Sequence, residues 1–281
     1  MPLNVLRDIR KIYAGLNADT IRGEAWQDLN VGLLASNEAT IRRMETFLAP
    51  PFMDTLPRTQ ALRCIHRADG QPGRFDFILC EPGIPVPRNG YLFESDEPDS
   101  LVNLIAGENP KLNLALARTF PLFRKPVSDR IVNRVARENA LFSLVTALPN
   151  VIPSLIELPW TLGEFATDTA FLTMNQIRMA LQLAAAHGRP VGYAEQKVEI
   201  AAIAAGAFGW RALARELVGK IPLGGGLIPK AAVAFAGTYV VGLGLEKVNR
   251  TGSGLSRKEK REAYSLAFER GKEVARDLTP A

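Results

Sequence analysis

Residues 31–48, VGLLASNEATIRRMETFL, have the layout of a phosphate-binding loop: an apolar strand, a glycine near its start, a turn and a helix. A working loop of the form G-x-x-x-x-G-K-[ST] needs each of its defining groups. The second glycine lets backbone N–H groups wrap phosphate, the lysine neutralises the β and γ oxygens, and the hydroxyl holds Mg²⁺. Here Gly32 fits the first position, but Asn37, Glu38 and Ala39 stand where the second glycine, the lysine and the hydroxyl belong. Thr40 is one position late, and Glu38 would set negative charge beside a phosphate. A second nucleotide-site element, D-x-x-G at a strand end, fails as well. FDFILCEPG has the strand and Gly83, but Cys80 replaces the aspartate, and Glu81 takes that role only by a shift of register. No N-K-x-D guanine-reading motif occurs. These departures predict no catalytic residue, no bound nucleotide and no cofactor.

Other constellations are weaker. His66 and His187 are the two histidines and Cys64 and Cys80 the two cysteines, without metal-ligand spacing, so no metal site and no disulfide framework are expected. Cys80 and Glu81 beside His66 could suggest a thiol site; a buried strand cysteine and a histidine at an exposed helix or strand end are the simpler reading. Asp96, Glu97 and Asp99 resemble an acidic metal loop, but such a cluster is more often a helix N-terminus, where the dipole favours acids. GGGLIPK (224–230) has no hydroxyl after Lys230 and precedes an apolar helix, so it reads as a turn. The basic segment 111–137 lacks an interleaved stacking platform, and nucleic acid is not expected as a partner.

The elements that would position these residues divide the chain. Residues 4–16 are amphipathic with helical spacing. Residues 29–35 read as a buried strand, 38–49 as the helix after it, 74–81 as a second strand and 91–95 as a third, with Pro98 opening another helix. EPGIPVPRNG is a loop. After about residue 105 no strand signal survives. Residues 110–139 read as helix with breaks near Pro121 and Pro126 and carry seven Lys or Arg against two acids. A helix over about 165–187 ends at Gly188. NRTGSG reads as a flexible connection before a helix that Ser256 and Glu259 cap, with Tyr264, Phe268 and Ala275 along its apolar stripe. The expectation is an α/β domain over 1–105 and a mostly α-helical domain over 106–281, α+β overall.

Two charge-free runs raise the question of membrane contact: 140–156, which Pro149 and Pro153 interrupt, and 231–245. A spanning helix needs about 20 apolar residues, more than the 15 of the second run. Small residues recur at four-residue spacing, Ala201, Ala205 and Gly209 on one expected helix and Ala234, Thr238 and Gly242 on another, which permits close helix contact in lipid or in a soluble core. The basic segment before the first run suits a cytoplasmic flank. Glu157, Glu164 and Asp168 oppose deep insertion. With net charge +5 and no apolar leader at the N-terminus, the expected place is the cytoplasmic side of the inner membrane, peripheral or shallowly inserted, otherwise the cytoplasm. Membrane lipid or a membrane protein is the expected partner, and the small-residue stripes also suit a homo-oligomer.

Residues 171–248 carry a helix ending AAAHG, then GAFGWRALAREL, then IPLGGGLIPKAAVAFAGTYVVG. This order resembles the uncharacterised helical domain found C-terminal to Era-like GTPases and in YcjF-like bacterial membrane proteins. The matching positions are Gly206, Phe208, Arg211, Ala214, Arg215, Ile221, Pro222, Gly224, Gly225, Gly226, Lys230, Ala236, Gly237 and Thr238. The resemblance implies intimate association with a membrane and with a GTPase-like domain, and it supplies no catalytic residue. The expected function is therefore non-catalytic: a membrane-associated protein acting through helical contacts, with a nucleotide-incompetent N-terminal module. A soluble scaffold with an all-α core, or an enzyme with a site near Cys80 and Glu81, are the alternatives.

Overall fold

The computed structural model describes residues 17–68, 75–93, 98–145, 168–206 and 227–278. The expected N-terminal helix over 4–16 and the expected turn GGGLIP lie outside the described residues. The chain is α+β, a small parallel sheet in its N-terminal part followed by helices. It divides into two compact units: an α/β unit of Asp19–Asp129 with Ala185–Pro190, and a helical unit of Met1–Ala18, Arg130–Ala184 and Val191–Ala281.

The α/β unit begins with α1 (Ala18–Ala25), β1 (Val31–Leu34) and α2 (Glu38–Leu48), followed by α3 (Thr55–Arg63) and β2 (Ile65–Arg67). Then come β3 (Phe77–Cys80), β4 (Gly90–Leu92) and α4 (Pro98–Glu108). Residue 105, the domain boundary expected from the sequence, lies inside α4. The four strands are parallel in the order β2-β1-β3-β4. Val31 pairs with Ile65 on one side and Phe77 on the other, and Ile78 pairs with Gly90. Val31, Leu33 and all four residues of β3 are buried, as strands covered on both faces require. The loop from β3 to β4 turns at Pro82-Gly83, where Ile84 N–H donates to Glu81 O (3.2 Å) and Gly83 takes a φ of 92° that suits glycine. Beyond an exposed helix or strand end at His66, strand β2 and helix α3 were not expected. Only Ala61 of α3 is buried and β2 has no buried residue, so neither shows a hydrophobic period.

The chain continues through a 3₁₀ turn, Pro110–Leu112, then α5 (Asn113–Thr119), a second 3₁₀ turn, Pro121–Phe123, and α6 (Arg124–Val145). Pro121 does break the helix, but Pro126 does not, a correction to expectation. It lies in the first turn of α6, where proline's missing N–H has no helical acceptor to lose. Phe120 and Phe123 are fully buried.

The remaining helices are α7 (Asp168–Ala186), α8 (Lys197–Ala204), α9 (Leu227–Thr251) and α10 (Arg257–Leu278). Gly188, with φ 73°, ends the run after α7 as expected. Asn249, Arg250 and Thr251 were expected in a flexible connection; they complete α9 instead, and Gly252 at φ 75° turns the chain. Ser256 and Glu259 form the expected reciprocal cap: Ser256 N–H donates to the Glu259 carboxylate (2.8 Å) and Glu259 N–H to Ser256 Oγ (3.3 Å). Helix α10 folds back along α9, burying Tyr264, Ala267, Gly271, Val274 and Ala275. At its tightest point a Cβ on Gly271 would lie 3.0 Å from both Cα and O of Ala232. Helices α6 and α7 pack on α9 as well. Gly242 is the close approach there, since a Cβ on it would meet Val132 Cγ1 at 2.6 Å and Met179 Sδ at 3.1 Å. Phe142 of α6 stacks on Phe171 of α7 with ring centroids 3.9 Å apart.

Replacing Gly242 with leucine should therefore cost about 2 kcal/mol or more of unfolding free energy, overpacking outweighing the roughly 1 kcal/mol helix-propensity gain. Urea denaturation measures it; an unchanged midpoint would show that α9 does not sit this close to Val132.

Candidate functional site

The sheet order places a topological switch between β1 and β3, because the chain leaves β1 for β2 on one side and later returns to β3 on the other. In open α/β sheets, ligands bind outside the carboxyl ends of the strands at such a point. Ser36, Asn37 and Thr40 come after β1 there, and Glu81 comes directly after β3. Glu81 N–H donates to Leu34 O (2.8 Å), which brings its side chain to the loop.

The Glu81 carboxylate fills this place. Ser36 donates to it from both its backbone N–H and its Oγ, each at 2.6 Å. Thr40 Oγ1 donates at 3.0 Å and Asn37 Nδ2 at 3.1 Å. Asn37 has a second task as the N-cap of α2, its Oδ1 accepting from Thr40 N–H at 2.9 Å. The bonds from Ser36, with those from Thr40 and Asn37, hold the Glu81 carboxyl below its ordinary pKa. Glu38 turns away from this cluster. It pairs with Arg67 of β2 and reaches Arg42 Nε at 3.7 Å, and the Arg67 pairing holds its own carboxyl low. An acceptor-only carboxylate thus occupies the donors that a phosphate would need, and Arg67 is engaged by Glu38.

Cys80 is fully buried, and burial pushes its thiol pKa up, away from the reactive thiolate. His66 lies on the exposed edge strand β2. Among the described residues no group of three or more His, Cys, Asp or Glu side chains converges as a metal site would require.

The helical unit holds a second cluster, which the sequence showed only in part. Thr238 is buried in α9, and its Oγ1 accepts from Asn139 Nδ2 of α6 at 2.8 Å and from Gln176 Nε2 of α7 at 3.4 Å. Asn175 Nδ2 donates to Asn139 Oδ1 at 2.8 Å, while Asn175 Oδ1 is buried without a hydrogen-bond partner. One turn along, Glu138 of α6 pairs with Arg178 of α7, and Arg134 donates to Gln182 Oε1 at 2.9 Å. The pairs Asn139 with Thr238 and Val132 with Gly242 make α6 antiparallel to α9; Gln176 with Thr238 and Met179 with Gly242 make α7 parallel to it. The missed signal was Asn175-Gln176, two amides set inside the otherwise apolar helix AFLTMNQIRMALQLAAA.

Of the expected contact residues, Ala234, Thr238 and Gly242 share α9 and are buried within the helical unit. Ala201 and Ala205 do not belong to a longer stripe: α8 ends at Ala204, Gly206 takes φ 68°, and both alanines are exposed. Lys230 is exposed in the first turn of α9. Gly209, Arg211, Arg215, Gly224, Gly225 and Gly226 lie outside the described residues. Comparison with protein-family models, curated proteins and solved structures finds no match to this chain.

Both clusters make measurable claims. Thr238→Val removes the acceptor from Asn139 and should cost about 1–3 kcal/mol, the penalty for an orphaned buried donor, whereas Thr238→Ser keeps the oxygen and should lose less. Equal stability of the two variants in urea would deny the hydrogen bond a role. For Glu81 the folded carboxyl titrates below its unfolded value, so its stabilisation is complete above the ordinary carboxylate range and fades as pH falls through the folded pKa. Glu81→Gln should lower the melting temperature at neutral pH, and the gap to wild type should close in acid. A gap independent of pH would assign the effect to something other than the charge.

Proposed function

We propose that this is a non-catalytic, membrane-associated protein, peripheral on the cytoplasmic side, in which the helical unit makes the lipid or partner contacts and the α/β unit is a binding module that takes no nucleotide. The observation carrying the second half is the Glu81 carboxylate, which holds the Ser36, Asn37 and Thr40 donors at the switch point. The membrane half draws on the resemblance over 171–248 and on α9. From Ile228 to Thr251 this helix is long and apolar enough to cross a membrane, with mean hydropathy 1.4.

Its surroundings favour contact with a membrane over a span. About two thirds of the α9 window, 67%, is buried within the protein. The helices covering it expose Arg134 and Arg137 on α6 and Glu262, Glu269, Arg270 and Glu273 on α10. Charges on a lipid-facing flank are expensive in hydrocarbon. The same burial favours a second reading, a soluble scaffold whose apolar helix is an ordinary core element.

Two measurements test the proposal. Full-length protein should pellet with bacterial membranes and be released by carbonate; complete recovery in the soluble fraction selects the scaffold reading, and carbonate resistance selects a span. Titration with GTP or ATP in the presence of Mg²⁺ should give no binding, and a saturable heat would overturn the account of Glu81.

A further inference from the structure

The turn between α9 and α10 is strongly basic. From Lys247 to Arg261, KVNRTGSGLSRKEKR has six Lys or Arg and one acid, and extending it to Glu246 and Glu262 gives six cations against three acids. Several of these groups serve the fold. Lys247 donates to Glu259 at 2.7 Å, and Arg250 Nε pairs with Glu246 at 3.0 Å, suitably placed at the C-terminus of α9. Arg257, Lys258 and Lys260 lie at the opposite kind of position, the first turn of α10, where the helix dipole disfavours cations. Lys258 reaches Glu262 only at 3.9 Å, with both side chains largely exposed. Among the described residues no acid pairs with Arg257 or Lys260. Fold stability alone would place acids in this turn, as it does with Glu259.

We propose that the α9–α10 turn is an electrostatic docking surface for anionic phospholipid headgroups. This rests on the membrane reading above and locates the contact. The cations sit at the end of a helical hairpin, a shape that meets a plane of headgroups. The connecting residues Gly252, Ser253 and Gly254 are small and exposed, so the backbone can approach that plane closely. The stretch contains no Phe, Tyr or Trp, so it lacks the stacking platform of a single-strand nucleic-acid binder. Juxtaposed Lys and Arg clusters are attracted to anionic leaflets additively, each charge adding to the partition.

The test is co-sedimentation of the full chain with phosphatidylcholine vesicles, with and without phosphatidylserine. Wild type should prefer the anionic vesicles and lose that preference as salt is raised. The double variant Arg257→Gln, Lys258→Gln keeps the Ser256–Glu259 cap and the Lys247 pair, and should bind anionic vesicles about tenfold more weakly. The matched variant Lys272→Gln, Arg276→Gln, with the same net charge at the far end of α10, should bind within about twofold of wild type, being remote from the surface by more than a Debye length. Circular dichroism melting confirms that both variants are folded. Equal losses in the two variants would reduce the effect to net charge and overturn the assignment. Vesicle binding without anionic preference would overturn it while leaving the membrane reading intact, and no binding to any vesicle would overturn both it and the lipid-contact form of the membrane reading. Preferential capture of duplex DNA or RNA over vesicles would replace the lipid surface with nucleic acid.

Discussion

Fifteen residues without a charge, Ala231–Leu245, impose the main constraint on the helical unit: this stretch of α9 must be covered on most of its circumference. Cover requires neighbours at short range, and the small residues of α9 and its partners supply it. Ala232 meets Gly271 of α10, and Gly242 admits Val132 and Met179. Close approach then sets what can be buried between the helices. Where backbones lie near each other, short polar side chains reach across, and Thr238 joins Asn139 and Gln176. A buried amide cluster adds little net stability. It does penalise any sliding of α9 that would leave those groups unpaired, so register and packing reinforce each other.

The α/β unit obeys a different constraint. Its sheet is narrow, and two of its strands have three residues. Side chains just past the strand ends hold those ends in place. Glu81 ties the end of β3 to the loop after β1, and Asn37 ties that loop to α2. In a nucleotide-binding sheet these same positions are left open for a ligand. Here they consolidate the fold: Asn37 caps α2, Glu38 pairs with Arg67, and Glu81 accepts from the loop.

Much of this was legible in the sequence wherever one face repeats. Strands β1 and β3, helix α2, the Gly188 stop and the Ser256–Glu259 cap are all dictated by local pattern. Strand β2 and helix α3 did not show, because edge position leaves His66, Arg67 and most of α3 solvated and erases the hydrophobic period. Pro126 misled because proline breaks a helix only where a hydrogen bond exists to be lost. The Ala234–Thr238–Gly242 stripe lies buried within the helical unit, and spacing alone does not say whether the neighbour of such a stripe is lipid or another helix. The partners of Thr238 lie 62 and 99 residues away, a distance over which no local pattern speaks.

The Glu81 clasp has a consequence for any anion that meets this surface. A carboxylate tethered by its own strand is present at its donors at an effective concentration on the order of millimolar or higher. Free phosphate or nucleotide competes against a ligand that cannot diffuse away, and dilution of the protein gives the competitor no advantage. Any such anion must displace the Glu81 carboxylate from Ser36, Asn37 and Thr40 before it can use their hydrogen-bond donors.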